Sequence, residues 1–111
     1  MNQQLIQEIL NFRDNRDWKQ FHNPKDLAIS LSLEASELLE NFQWSTSEEA
    51  ARKKSENIKE ELADVLIYAI LFADSLNLDI DQIILDKLKI NDGKYPVEKS
   101  AGKKEKYSEL L

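Results

Sequence analysis

The chain has 111 residues, of which 21 are acidic and 15 basic, for a net charge of −6 at neutral pH, and it contains no cysteine. That length suits one small domain whose core gains from a partner subunit. The missing cysteines exclude disulfides, thiolate catalysis and cysteine-based zinc sites. Charge is unevenly spread: residues 1–93 carry 18 acidic and 10 basic side chains, residues 94–111 carry 3 and 5. An acidic body lacks the basic face that a nucleic-acid polymer requires. No apolar run is long enough to span a membrane, and Met1-Asn2-Gln3-Gln4 is unlike the basic start of a signal peptide. The expectation is a cytoplasmic protein with an all-α domain at 1–93 and a flexible basic tail at 94–111, contributing to the site or disordered.

In chain order, Leu5, Ile6, Ile9 and Leu10 recur at helical spacing and predict a first amphipathic helix over 3–13, ending near Asp14-Asn15. Residues 16–23 have no period but carry Trp18, Phe21 and His22, which reads as an ordered loop. Asn23-Pro24 is an N-cap followed by proline at the first helical position, opening a second helix that runs to about Phe42. Ser45 with Glu48, and Thr46 with Glu49, are overlapping capping boxes. Residues 50–57 read either as a short helix of their own or as a loop. From Ile58 a stripe of Ile58, Leu62, Val65, Ala69 and Phe72 predicts a helix to about Leu76. Asp79 opens a last helix with Ile80, Ile83, Ile84, Leu85 and Leu88 inward and Gly93 just past its end. With no period-two alternation of useful length, the architecture expected is a four-helix bundle.

Two of these helices carry paired carboxylates. Glu34 and Glu37 form E-x-x-E, and Glu61 and Asp64 form E-x-x-D, each set in a strongly apolar segment. Residues three apart share a helix face, and ionised carboxylates beside Leu62, Val65 and Ile70 are costly to desolvate unless paired or bound to metal. Two facing helices would bring all four together. A single such couple is commonplace on a solvated face, but two in apolar helices point to a hard ion such as Mg²⁺. A di-iron bundle wants Glu-x-x-His couples, and the only histidine, His22, lies outside both helices.

Trp18, Phe21, His22 and Trp44 lie in the connections flanking the first carboxylate helix, where rings would grip a planar ligand. Taken singly, a tryptophan is more often core or interface than ligand. Lys87 and Asn91 stand one turn apart, followed by Lys94 and Tyr95, and offer phosphate-capable donors or, taken singly, ordinary surface groups.

The pieces R-D-W-K-Q-F-H-N-P at 16–24, L-E-A-S-E-L-L-E-N-F-Q-W at 33–44, E-E-L-A-D-V-L-I-Y at 60–68 and K-Y-P-V at 94–97 together resemble the MazG-type all-α nucleotide pyrophosphohydrolases, most of all the dCTP pyrophosphatase branch. The resemblance runs from about Phe12 to Leu110. It implies Mg²⁺-dependent cleavage of a nucleoside triphosphate to monophosphate and pyrophosphate. By motif, Glu34, Glu37, Glu61 and Asp64 are similar to the family's magnesium ligands, and Trp18, His22, Trp44 and Tyr68 to its nucleotide contacts. Lys87, Asn91, Lys94 and Tyr95 resemble its phosphate- and sugar-side positions. It also implies a homotetramer. Two departures stand out: Leu33 precedes Glu34 where the broader motif has paired glutamates, and Ile9 falls where animal members carry a histidine.

The expected function is hydrolysis of dCTP or a 5-modified relative in nucleotide pool sanitation, with Mg²⁺ as cofactor and Glu37 or Glu34 as base. The alternatives are a nucleotide-binding regulator or a helical interaction protein without turnover. The partners expected are the small nucleotide and further copies of the chain, with neither a nucleic-acid polymer nor a membrane.

Overall fold

A computed structural model describes residues 1–104. Four of the helices begin where a short polar side chain receives the first unpaired N–H groups. Asn2 accepts from the Gln4 and Leu5 amides, at 2.8 and 3.2 Å, and opens α1 (Gln3–Asn15). Asn23 accepts from the Asp26 N–H at 2.9 Å with Pro24 in the first turn of α2 (Pro24–Glu40). Thr46 accepts from the Glu49 N–H at 3.2 Å to open α3 (Ser47–Lys53), whereas the hydroxyl of Ser45, the other candidate cap, donates to the Thr46 carbonyl. The chain then breaks at Lys54 and continues as α4 (Ser55–Ser75), so residues 47–53 form a short helix of their own. Asp79 caps α5 (Ile80–Lys94) through the Gln82 N–H at 3.0 Å. A 3-10 turn at Lys19–Phe21 lies in the loop after α1, and α6 (Val97–Ser100) follows α5. No strand occurs among the described residues, so the fold is all-α.

Two compact units divide at Leu78/Asp79. In the first, α4 packs chiefly against α2 and also against α1 and α3. Leu27, Ala50, Ile70, Leu71 and Ala73 are buried there. Two polar side chains are buried with them. The Arg13 guanidinium, 4% exposed, binds Asp14 through Nε at 2.8 Å and Asp74 through a terminal nitrogen at 2.7 Å. Asn41, 3% exposed, accepts from Asn57 Nδ2 at 2.7 Å and donates to the Leu38 carbonyl at 3.2 Å. These contacts tie the C-terminal ends of α1 and α2 to opposite ends of α4.

Three expectations are corrected. Gly93 lies inside α5, which continues to Lys94; its backbone is not left-handed, so it terminates nothing. Ile83, Ile84, Leu85 and Leu88, expected inward, are exposed, and α5 has no buried residue. Leu62, in the apolar stripe of α4, is also exposed. The reason is common to the last two: these helices carry more apolar circumference than one small chain can cover. Lys94, expected to begin the tail, closes α5, and part of the tail is helical at α6. The rest of the expected tail, residues 105–111, lies outside the described residues.

Candidate metal and nucleotide site

α2 and α4 place the carboxylates as their spacing requires. Glu34, Glu61 and Asp64 each present a carboxylate oxygen, and the three oxygens lie within 4.8 Å of one another. Glu37 is outside that triad and exposed, yet its carboxyl comes within hydrogen-bonding range of both Glu34 and Glu61. Burial pushes the Glu34 carboxyl up to about 7, and the Glu37 contact and the charges of Glu37, Asp64 and Glu61 add to it. Glu61 is raised for the same reasons, burial first, then the Glu37 contact and the charges of Glu37, Asp64 and Glu60. The Oε2 atoms of Glu34 and Glu61 are both buried and without a partner. Crowded carboxylates with orphaned buried oxygens call for a cation. An oxygen-only donor set fits a hard divalent ion better than zinc or copper.

One wall of this cluster opens on a cavity of about 440 Å³. Glu34 and Asp64 line it together with Leu5, Glu8, Ile9, Phe12 and Arg13 of α1, Trp18 and His22 of the loop, and Ile67, Tyr68 and Leu71 of α4. Trp18 meets Phe12 edge-on with ring centroids 5.8 Å apart, and the Arg16 guanidinium lies 3.6 Å over the Phe12 ring. His22 is half-buried with Nδ1 lacking a partner; burial lowers its pKa first, and the Arg13 charge lowers it further, so the ring is neutral at pH 7. A second, polar cavity of about 540 Å³ is lined by Glu37, Glu61, Asn41, Asn57, Lys54 and neighbours. The two motifs therefore contribute to both cavities.

Of the twelve residues that the resemblance assigned to the site, the first unit brings seven together. Glu34, Asp64, Trp18, His22 and Tyr68 share the aromatic cavity, while Glu61 and Glu37 adjoin it through the cluster. Trp44 is not among the lining residues: it is 99% exposed, on a left-handed backbone with φ 60°. Lys87, Asn91, Lys94 and Tyr95 belong to the second unit. There Lys87 and Asn91 are one turn apart on α5, and Tyr95 caps the helix by donating its N–H to the Asn91 carbonyl at 2.8 Å. Apart from Ile9, noted where animal members of the resembled family carry a histidine, sequence reasoning missed the contribution of α1, whose Leu5, Glu8, Ile9 and Phe12 form a cavity wall. Their i, i+3, i+4, i+7 spacing was the available signal, but it reads equally as core. It also missed Arg13 and Asn41, polar residues whose anchoring contacts come from α4.

The fold and site thus define an all-α protein with a carboxylate centre built from two helices at the edge of an aromatic cavity. Residues 29–110 match the model of the MazG-like family. The chain is 38% identical over 104 residues to dCTP pyrophosphatase 1 of Mus musculus and of Homo sapiens, an alignment covering 89% of this chain and 61% of each relative. It spans about three fifths of the length of those curated relatives. A crystal structure of a pyrophosphatase from Archaeoglobus fulgidus superposes with a TM-score of 0.80 at 38% identity, covering 84% of this chain and 90% of the other. The chain belongs to the MazG-like family.

Proposed function

We propose that the protein hydrolyses a nucleoside triphosphate, dCTP or a 5-modified dCTP, to the monophosphate and pyrophosphate in a Mg²⁺-dependent reaction that cleanses the nucleotide pool. The observation that carries this reading is the Glu34–Glu61–Asp64 triad beside an aromatic cavity that holds Trp18 and Tyr68. The names of the relatives, dCTP pyrophosphatase and pyrophosphatase, support it.

Glu34, Glu61 and Asp64, with Glu37 beside them, would hold the divalent ion, which when bound supplies charge neutralisation of the triphosphate and a more acidic water. Trp18, braced by Phe12, stacks on the base and fixes its distance from the carboxylates. Neutral His22 offers the base a hydrogen-bonding nitrogen without adding charge. Glu37 or Glu34 takes the proton of the attacking water at a carboxylate oxygen. Lys87 and Lys94 are proposed to balance charge on the outer phosphates, with Asn91 and Tyr95 as uncharged hydrogen-bonding groups on the phosphate and sugar side.

Trp44 would join a base site only through a second copy of the chain, in keeping with the proposed tetramer. Exposed Leu33 and Leu39 on α2, Leu62 and Leu66 on α4 and the apolar residues of α5 support such association. No helix of the described residues is long and apolar enough to cross a membrane, and a cytoplasmic location is part of the proposal.

The test is turnover of the eight standard nucleoside triphosphates and 5-methyl-dCTP, with and without Mg²⁺, in ¹⁸O-labelled water. The expected products are labelled dCMP and unlabelled pyrophosphate. Orthophosphate with dCDP would overturn the reading, and so would nucleotide binding without any turnover.

A further inference from the structure

Glu8 interrupts an apolar helix face. Leu5, Ile9 and Phe12 stand at the spacings of one side of α1, and Glu8, three residues after Leu5 and four before Phe12, lines the same wall. Glu8 is exposed and has no hydrogen bond or ion pair among the described residues. The other charged residue of α1 on that wall, Arg13, is taken up by Asp14 and Asp74.

Its height along the cavity follows from the same ion pair. The lining residues of α1 and α4 other than Arg13 itself all precede the Arg13–Asp74 contact in their own helices, so both helices run toward it. At 1.5 Å per residue, Glu8 stands about 7.5 Å before Arg13, whereas Asp64 stands about 15 Å before Asp74. Glu8 therefore lies nearer the level of Tyr68 than that of the carboxylate triad, to which it does not belong. That is the level of the rings.

We propose that Glu8 is a base-selecting residue: its carboxylate accepts a hydrogen bond from the exocyclic amine of a cytosine held in the aromatic cavity, and it discriminates against uracil and thymine. The inference rests on the reading of this cavity as the base site. An ionised carboxylate only accepts hydrogen bonds, and cytosine presents a donor at N4 where uracil and thymine present a carbonyl. With cytosine the pair is complementary. With uracil two acceptors face each other, and once the base excludes water neither is satisfied, the situation in which a site built for one polar group rejects its analogue most strongly.

Glu8→Gln keeps the shape of the side chain while adding a donor, so its amide can serve either base. The experiment measures kcat/KM for dCTP and dUTP with Mg²⁺ on the full chain, and binding of dCMP and dUMP by calorimetry without metal. Wild type is expected to prefer the cytosine nucleotide in both assays. In Glu8→Gln the preference falls at least tenfold, through KM and with a gain for dUTP, while Glu8→Asp retains part of it. An unchanged ratio, or an equal loss for both bases, overturns the proposal. If wild type turns over neither triphosphate, the proposed activity fails, and the monophosphate affinities decide the role of Glu8 alone.

Discussion

The two tryptophan turns, residues 16–23 after α1 and 41–46 after α2, are built alike and end differently. Each follows a helix whose end is fixed by a buried polar side chain to α4, Arg13 to Asp74 in one and Asn41 to Asn57 in the other. Each contains a non-glycine residue with left-handed backbone, Asp17 at φ 55° and Trp44 at φ 60°. In the first turn the chain folds back, with the Trp18 N–H donating to the Arg13 carbonyl at 3.2 Å, and the ring comes to rest against Phe12. In the second, Trp44 is left 99% exposed. An aromatic residue in a connection becomes part of a site only where another element supplies the facing wall, and for Trp18 that element is α1.

The largest effect should come from the carboxylates, which serve the chemistry whichever tryptophan holds the base. Glu61→Gln is expected to lower kcat by about a thousandfold while changing KM much less, by analogy with the loss of a principal electrostatic group. Retained kcat in steady-state assays would separate the triad from the chemistry. Next in size, Trp18→Ala should raise KM for dCTP roughly tenfold or more, the loss of one stacking ring. Trp44→Ala should leave KM within about threefold at dilutions where the chain is monomeric, as judged by light scattering. Equal effects there would erase the contrast between the two turns.

The anchors can be compared through stability. Asn57→Ala leaves the buried side-chain oxygen of Asn41, Oδ1, without its donor and should cost about 1–2 kcal/mol in denaturant melts. No measurable cost would mean that the second turn is held by something else.

The smallest expected effect is a pH dependence in the metal-free protein. The Glu34 carboxyl is held at about 7 against an ordinary 4.5. A carboxyl that binds its proton more tightly in the folded state stabilises the fold below its unfolded value, and that contribution is lost as pH rises through the folded value. In chelator, the melting temperature should therefore fall between pH 4.5 and about 7 relative to Glu34→Gln, by roughly 5 °C. Added Mg²⁺ should recover much of the loss at the upper end. Parallel curves for the two proteins would show that Glu34 is not confined as its geometry implies.

What the sequence determined by itself is the part of the protein written in local chemistry. The caps at Asn23, Thr46 and Asp79, the apolar run of α4 and the three-residue spacing of both carboxylate pairs follow from backbone geometry, which neighbouring residues set. The same locality misled at Gly93, because a glycine ends a helix only where the backbone turns left-handed, and here it does not. Tertiary structure alone decided which carboxylates converge most closely, leaving Glu37 at the edge of the triad, because reach across α2 and α4 depends on how the two helices pack. It also decided that α1 walls the cavity, that Arg13 is buried by its partners on both sides, and that one tryptophan lines the cavity and the other does not. These are contacts between residues far apart in the chain, and no periodicity within a segment records what will face it.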